Sequence, residues 1–241
     1  MRAARPFVLS IGGFDPSAGA GVLSDIKTYE HFGLNGLAVT TCITGQSHEK
    51  VHDVHWLNKE QILVQLKPLL SRYEIKVCKI AVIQSWAILN EIIDFLLMNE
   101  PNMMIVLDPV YESSSGYSFC SAPNAELRDE VLSKVQLITP NQLETDMLGF
   151  DKTILKCNVL LKSVRGKAPG TDHLILKEGE TISFEANNLG SEKHGSGCVL
   201  SSSIAAQLAL GESLLVAVGI AKENIENYLG SSTNLIGTLN T

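Results

Sequence analysis

A chain of 241 residues has room for one large α/β domain or two small ones, and 45% apolar with 19% charged residues is the composition of a folded globular protein. The formal net charge of -7, with no basic tract and no basic–aromatic interleaving, argues against a general nucleic-acid surface. Cys42, Cys78, Cys120, Cys157 and Cys198 are odd in number, widely spaced and without a C-x-x-C pair, which points to reduced thiols in the cytoplasm rather than a disulfide frame or a zinc site.

The apolar runs are too short to span a membrane, and no signal peptide is recognisable. Phe7–Ile11 reads as a strand, followed by a glycine-rich turn and a helix over Val22–Phe32. Leu37–Ile43 is the next strand. His48, His52 and His55 then fall among Glu49, Lys50 and Asp53, which reads as a solvated loop rather than a metal site. Leu57–Leu70 has helical spacing, with Asn58 and Gln61 placed to cap its start and Pro68 expected to kink or shorten it. Val77–Val82 is a strand, and Ser85 caps a helix whose core face is Ile88, Leu89, Ile92, Ile93, Leu96 and Leu97.

Met103–Leu107 and Leu137–Thr139 are further strands, ending at Asp108-Pro109 and Pro140-Asn141, with a helix from Gln142. Leu174–Lys177 follows, with Thr181–Glu185 as a short extra strand. Cys198–Leu210, stopped by Gly211, and Leu214–Leu229 are the closing helices. Apolar strands without strict alternation imply a sheet covered on both faces, and the β–α order implies a mainly parallel one. Without a long linker or internal repeat, residues 1–241 read as a single domain.

The most informative stretch is Lys193-His194-Gly195-Ser196-Gly197-Cys198, which runs straight into an apolar helix. Glycines flanking a serine can turn backbone N–H groups toward one point, where the helix dipole is also positive: an anion site, or simply a glycine turn with Cys198 as filler. The same positive end would favour the Cys198 thiolate. In a parallel sheet, ligands bind where strands end. Gly12-Gly13, Asp15, Gln46, Asp108, Asn141 and Lys177 all follow strands or open helices. Lys177 is either a point charge for phosphate or a solvated turn lysine. Asp108 and Glu144 either hold Mg²⁺, largely through water, or form a turn and a helix start. Asn141 either bonds a phosphate or caps its helix. Asp25 either accepts a hydrogen bond from a flat ligand or, like Asp15, caps or solvates the helix start.

Four ordered stretches make the resemblance specific. Ile11-Gly12-Gly13-Phe14-Asp15-Pro16-Ser17-Ala18-Gly19-Ala20-Gly21 with Asp25-Ile26-Lys27-Thr28, then Val106-Leu107-Asp108-Pro109-Val110, Ile138-Thr139-Pro140-Asn141-Gln142-Leu143-Glu144, and His194-Gly195-Ser196-Gly197-Cys198, resemble the motifs of the hydroxymethylpyrimidine/phosphomethylpyrimidine kinases of thiamine biosynthesis. The resemblance implies a ribokinase-like three-layer α/β sandwich around a mostly parallel sheet. It implies that Gly13, Asp25 and Gln46 contact the aminopyrimidine, with Val82 and Val110 lining its pocket. Asp108, Asn141, Glu144 and Lys177 would serve ATP, with Mg²⁺ at Asp108 and Glu144. Gly195, Ser196 and Gly197 would form the anion hole, and Cys198 would be the base. A cytoplasmic homodimer is implied as well. The chain departs from the family pattern in the segment between Lys177 and His194, which reads as compressed, and in Glu178-Gly179 after the lysine.

The expected activity is therefore ATP-dependent phosphorylation of 4-amino-5-hydroxymethyl-2-methylpyrimidine and of its monophosphate. Two rivals stand beside it: a pyridoxal or pyridoxine kinase of the same fold, and a non-catalytic pyrimidine- or nucleotide-binding protein.

Overall fold

The computed structural model describes residues 5–149, 155–164, 166–186, 193–232 and 234–239. The first strand, β1 (Phe7–Phe14), leads into α1 (Gly21–His31), β2 (Asn35–Gln46), β3 (Val51–Trp56), α2 (Lys59–Arg72), β4 (Ile75–Ile80) and α3 (Trp86–Asn99). Then follow β5 (Met104–Leu107), α4 (Ala125–Ser133), β6 (Leu137–Ile138), α5 (Gln142–Leu148), β7 (Asn158–Leu161), β8 (Asp172–Ile175), β9 (Thr181–Phe184), α6 (Ser196–Ala209) and α7 (Leu214–Gly230). The strands form one sheet in the order β3-β2-β1-β4-β5-β6-β7-β8-β9. The six strands from β2 to β7 in that order run parallel, while β3, β8 and β9 join antiparallel at the edges.

Side-chain alternation explains the layers. Leu9, Cys78, Ile105, Ile138 and Val159 face one way and pack with α2, α3 and α4 through residues such as Leu66, Ile92 and Val131. Their neighbours Val8, Val77, Val106, Leu137 and Leu160 face the other way, against Tyr29, Ile204 and Val218 of α1, α6 and α7. The expected three-layer α/β sandwich is present.

The helix starts are chemically marked. Asn58 accepts from the Gln61 N–H and Gln61 accepts from the Asn58 N–H, both at 2.9 Å, a complete capping box. Ser85 caps α3 by accepting from the Ile88 N–H. Pro68 does not end α2, which runs to Arg72. Its ring is on the exposed side, so the helix continues past the lost bond to the Val64 carbonyl.

Three elements depart from the sequence reading. Only the first part of the histidine segment, His48 with Glu49 and Lys50, is a loop: Val51–Trp56 is β3, paired with β2, and its exposed His52 and His55 face outward. Helix α4 and strand β7 were not anticipated. Strand β7 is only four residues long, and its apolar run Val159-Leu160-Leu161 is shorter than the window in which periodicity becomes legible.

Candidate active site

The parallel strands deliver their carboxyl ends to one edge. There a cleft gathers Gly13, Gln46, Val82, Val110, Asp108, Asn141 and Glu144 with the Gly195–Cys198 loop. These sequence-expected residues come together. Asp25 and Lys177 do not.

The anion loop is built by close packing. Gly195 has φ +75°, and a Cβ on it would lie 1.9 Å from the Gly19 carbonyl oxygen. Gly21 has φ +61°, and its Cβ would meet the Gly13 carbonyl oxygen at 2.2 Å. Glycine is required at both positions, because only a bare backbone lets the two loops nest in the left-handed region. Gly195 leads α6 without any side-chain cap, so the first-turn N–H groups of Gly197 and Cys198 remain for an anion. A second helix start converges there, since Gly21 at the head of α1 lines the same cleft as Cys198 and its N–H lowers the pKa of the thiol.

Burial pushes the Cys198 thiol up to about 11; Lys79 and the Gly21 N–H oppose the rise, and Asp25 and Asp108 add to it. Burial thus works against the thiolate that the helix start favours.

Asp15 ties the two loops together. Its carboxylate accepts from the Ser17 N–H and hydroxyl and the Ala20 N–H at 2.8–2.9 Å, and lies 2.8 Å from His194 Nε2. Burial raises its pKa, but bonds from His194, Ser17 and Gln46 prevail and hold it at about 2. On the far side, the His194 N–H donates to the Leu235 carbonyl and the Tyr228 hydroxyl donates to the His194 carbonyl.

Across the cleft, Lys162 follows β7. Its ammonium lies 3.0 Å from Asp108 Oδ1 and 3.8 Å from Glu144 Oε2. Asp108 also accepts from Thr139 and Ser201 hydroxyls. Burial raises the Asp108 pKa, but Lys162 and Lys79 prevail and lower it. For Glu144 burial wins and the pKa rises, despite Lys162. Asn141 and Glu144 form a capping box at the head of α5, with bonds of 2.9 and 2.6 Å. The helix-capping reading of Asn141 thus holds, Glu144 is a buried first-turn residue rather than a surface one, and both line the cleft.

Sequence reasoning missed Lys162 and chose Lys177. Because β8 runs antiparallel, Lys177 emerges at the opposite edge of the sheet, where its N–H donates to Asn158 Oδ1 at the start of β7. It lies in a groove with Pro101, Met103 and Gln136, away from the carboxyl edge. The β8–β9 hairpin follows Lys162, and the segment between Lys177 and His194 that reads as compressed includes residues 187–192, which lie outside the described residues. The apolar run Val159–Leu161 ending in a lysine was the signal available in the sequence. Asp25 is corrected too. It is fully buried, with Lys79 at 2.5 Å and the Ser10 hydroxyl donating to it at 2.5 Å, and no ligand in the cleft reaches it.

Asp108 and Glu144 suit Mg²⁺ held through water and substrate phosphates, since this ion needs few protein carboxylates. Both are already bonded to protein groups, and no group of three metal-ligating side chains occurs among the described residues. A second cavity, shared through Asn141, Lys162, Ser196 and Gly197, continues from the cleft toward Asp172, Lys222 and Leu229 and offers room for a nucleotide.

An anion cradle facing a carboxylate-held lysine across one cleft meets the requirement of phosphoryl transfer, which is positioning plus charge stabilisation. The class is that of α/β small-molecule kinases. The phosphomethylpyrimidine kinase family profile matches residues 15–239. The hydroxymethylpyrimidine/phosphomethylpyrimidine kinase of Aquifex aeolicus is 33% identical, over 94% of this chain and 95% of its own length. The crystal structure of phosphomethylpyrimidine kinase from Clostridium difficile superposes with TM-score 0.76 at 28% identity, covering 92% of this chain and 98% of that one. Pyridoxal kinase from Staphylococcus aureus gives TM-score 0.81 at 24% identity, over 98% of this chain and 93% of that one, a likeness of fold. The chain therefore belongs to the phosphomethylpyrimidine kinase family. It also matches longer bifunctional thiamine-biosynthesis proteins, of which it spans about half the length. No helix among the described residues is long and apolar enough to cross a membrane.

Proposed function

We propose that this protein transfers the γ-phosphoryl group of ATP to 4-amino-5-hydroxymethyl-2-methylpyrimidine, and then to the monophosphate so formed. The observation that carries this reading is the single cleft in which Cys198 and the anion loop face the Lys162–Asp108–Glu144 cluster. The pyrimidine ring lies between Gly13, Val82 and Val110, with the Gln46 amide at its polar edge. The substrate hydroxyl oxygen forms a bond to the γ-phosphorus as the bond to ADP breaks. ADP departs with that electron pair, and the hydroxyl proton passes to the Cys198 sulfur in its thiolate form, the thiol having first given its own proton to water. The N–H groups of Gly195–Cys198 hold the phosphoryl oxygens and Lys162 neutralises charge developing on the phosphates. Mg²⁺, held through water by Asp108 and Glu144, would shield the nucleotide phosphates.

The chain works as a single kinase domain, residues 1–241, in a cytoplasmic homodimer. Light scattering at micromolar protein tests the dimer. Substituting Cys198→Ala tests the base: turnover is expected to fall ~10²–10⁴-fold, the usual worth of a positioned acid–base group, with the fold retained. Undiminished turnover would remove the assignment. The pyridoxal kinase reading draws on fold likeness alone, and competition between pyridoxal and the pyrimidine for one limiting site separates the two.

A further inference from the structure

Directly beneath the anion loop lies a buried ion pair. Lys79 projects from β4 with its side chain fully buried, and its ammonium donates to Asp25 Oδ1 from α1 at 2.5 Å. Asp25 Oδ2 accepts from Ser10 of β1, also at 2.5 Å. The same ammonium lies 3.4 Å from the Cys198 carbonyl oxygen, under the first turn of α6. The sheet on this face is otherwise lined by Val8, Val77 and Val106. Replacing a buried pair by apolar residues is often neutral or stabilising, so stability alone does not account for a lysine here.

We propose that Lys79 is a positioning residue for phosphoryl transfer: its ammonium, held by Asp25 and Ser10, fixes the start of α6 and supplies positive charge behind Cys198. This inference rests on the reading of Cys198 as the base. The charges that act on the thiol have definite signs. Lys79 from β4 and Lys162 beyond β7 favour an anion there. Asp25 from α1 and Asp108 beyond β5 oppose it, and Tyr29 of α1 and Tyr228 of α7 are neutral neighbours whose own ionisation the thiol hinders. Of the charges around the thiol, Lys79 most strongly opposes the upward pull of burial. The lysine itself stays charged, because Asp25 outweighs the burial that disfavours its ammonium.

The test is alkylation of Cys198 by iodoacetamide across pH, with the modified peptide identified by mass. The thiolate is the reacting form, so the rate follows its fraction. Two variants are compared with the parent protein: Lys79→Met, and Lys79→Met with Asp25→Leu, in which the whole pair becomes apolar and the fold is preserved. Folded Lys79→Met is expected to alkylate at least ~10-fold more slowly at pH 8, the consequence of a one-unit rise in the thiol pKa, and the double variant more slowly by a smaller factor, because losing Asp25 removes a weaker opposing charge. Their kcat falls, and KM for ATP stays within about twofold. If Lys79→Met does not fold, the double variant decides alone. A folded double variant that alkylates on the parent's pH profile would overturn the proposal. Full turnover by Cys198→Ala would overturn the base assignment instead, because alkylation reports on Lys79 without any turnover.

Discussion

Substituting Lys162→Met removes the ammonium that lies 3.0 Å from Asp108 and 3.8 Å from Glu144. Asp108 is 1% and Glu144 4% exposed, so two desolvated carboxyl groups are left without that counter-charge. Stripping one partner from a buried pair costs ~3–5 kcal/mol. The Lys162 side chain is 14% exposed at the cleft, so water offsets part of the loss and the lower end, ~3 kcal/mol, is expected. For a chain of this size that is a fall in Tm of ~6–12 °C. The sign with pH follows from the carboxylates. In the parent, Asp108 has a lowered pKa, so its stabilisation is present above its unfolded pKa and lost as pH falls through the folded one. In the variant both carboxyls rise, so the penalty is full at pH 8 and shrinks as they protonate toward pH 5. Thermal unfolding of both proteins at pH 8 and pH 5 measures this. A Tm within about 2 °C of the parent at pH 8, below the fall that a stripped buried pair implies, would refute the reasoning, as would an equal loss at both pH values. Turnover should drop ~10²-fold, the rate equivalent of ~3 kcal/mol of transition-state charge stabilisation.

Gly195→Ala forces a Cβ into the Gly19 carbonyl, so steady-state kinetics should show kcat reduced ~10²-fold or more, as for a lost oxyanion donor, while Gly179→Ala on the open β8–β9 turn leaves kcat unchanged. Asp15→Asn should cost on the order of 2 kcal/mol at pH 7, from the fall of its pKa from 3.8 to about 2. In denaturant titrations that stabilisation is present above pH 4 and disappears between about pH 4 and pH 2, as the parent's carboxylate protonates. Lys177→Ala, at the opposite edge, should leave kcat/KM for ATP within about twofold, and a large loss would restore Lys177 to the site.

The sequence carried the parts of this protein that short-range chemistry writes. The capping boxes at Asn58 and Asn141, the strand runs at β1, β4 and β5, and the glycine-led start of α6 are local signals. Pairing is not local. The direction of β8 decides which edge Lys177 reaches, and that direction comes from its antiparallel register with β7, which no window of sequence contains. The omission of β7 and the choice of the wrong lysine are one error, since Lys162 is a site residue only because β7 is parallel and ends beside Asp108 and Glu144. Asp25 fails for a similar reason. Its place in the first turns of α1 suits either a ligand or a solvated helix start, and neither holds, because Lys79 on β4 lies 54 residues away in sequence and claims it in the core. His194 and Asp15 meet across 179 residues and were likewise invisible as a pair.

The most direct test incubates the purified protein with ATP and Mg²⁺ and, in parallel, the hydroxymethylpyrimidine, its monophosphate or pyridoxal, with every product identified by mass. The account predicts the pyrimidine monophosphate from the first, the diphosphate from the second, and ADP in step with both. Pyridoxal phosphate as the sole product, or no ATP consumed with any of the three, would contradict it.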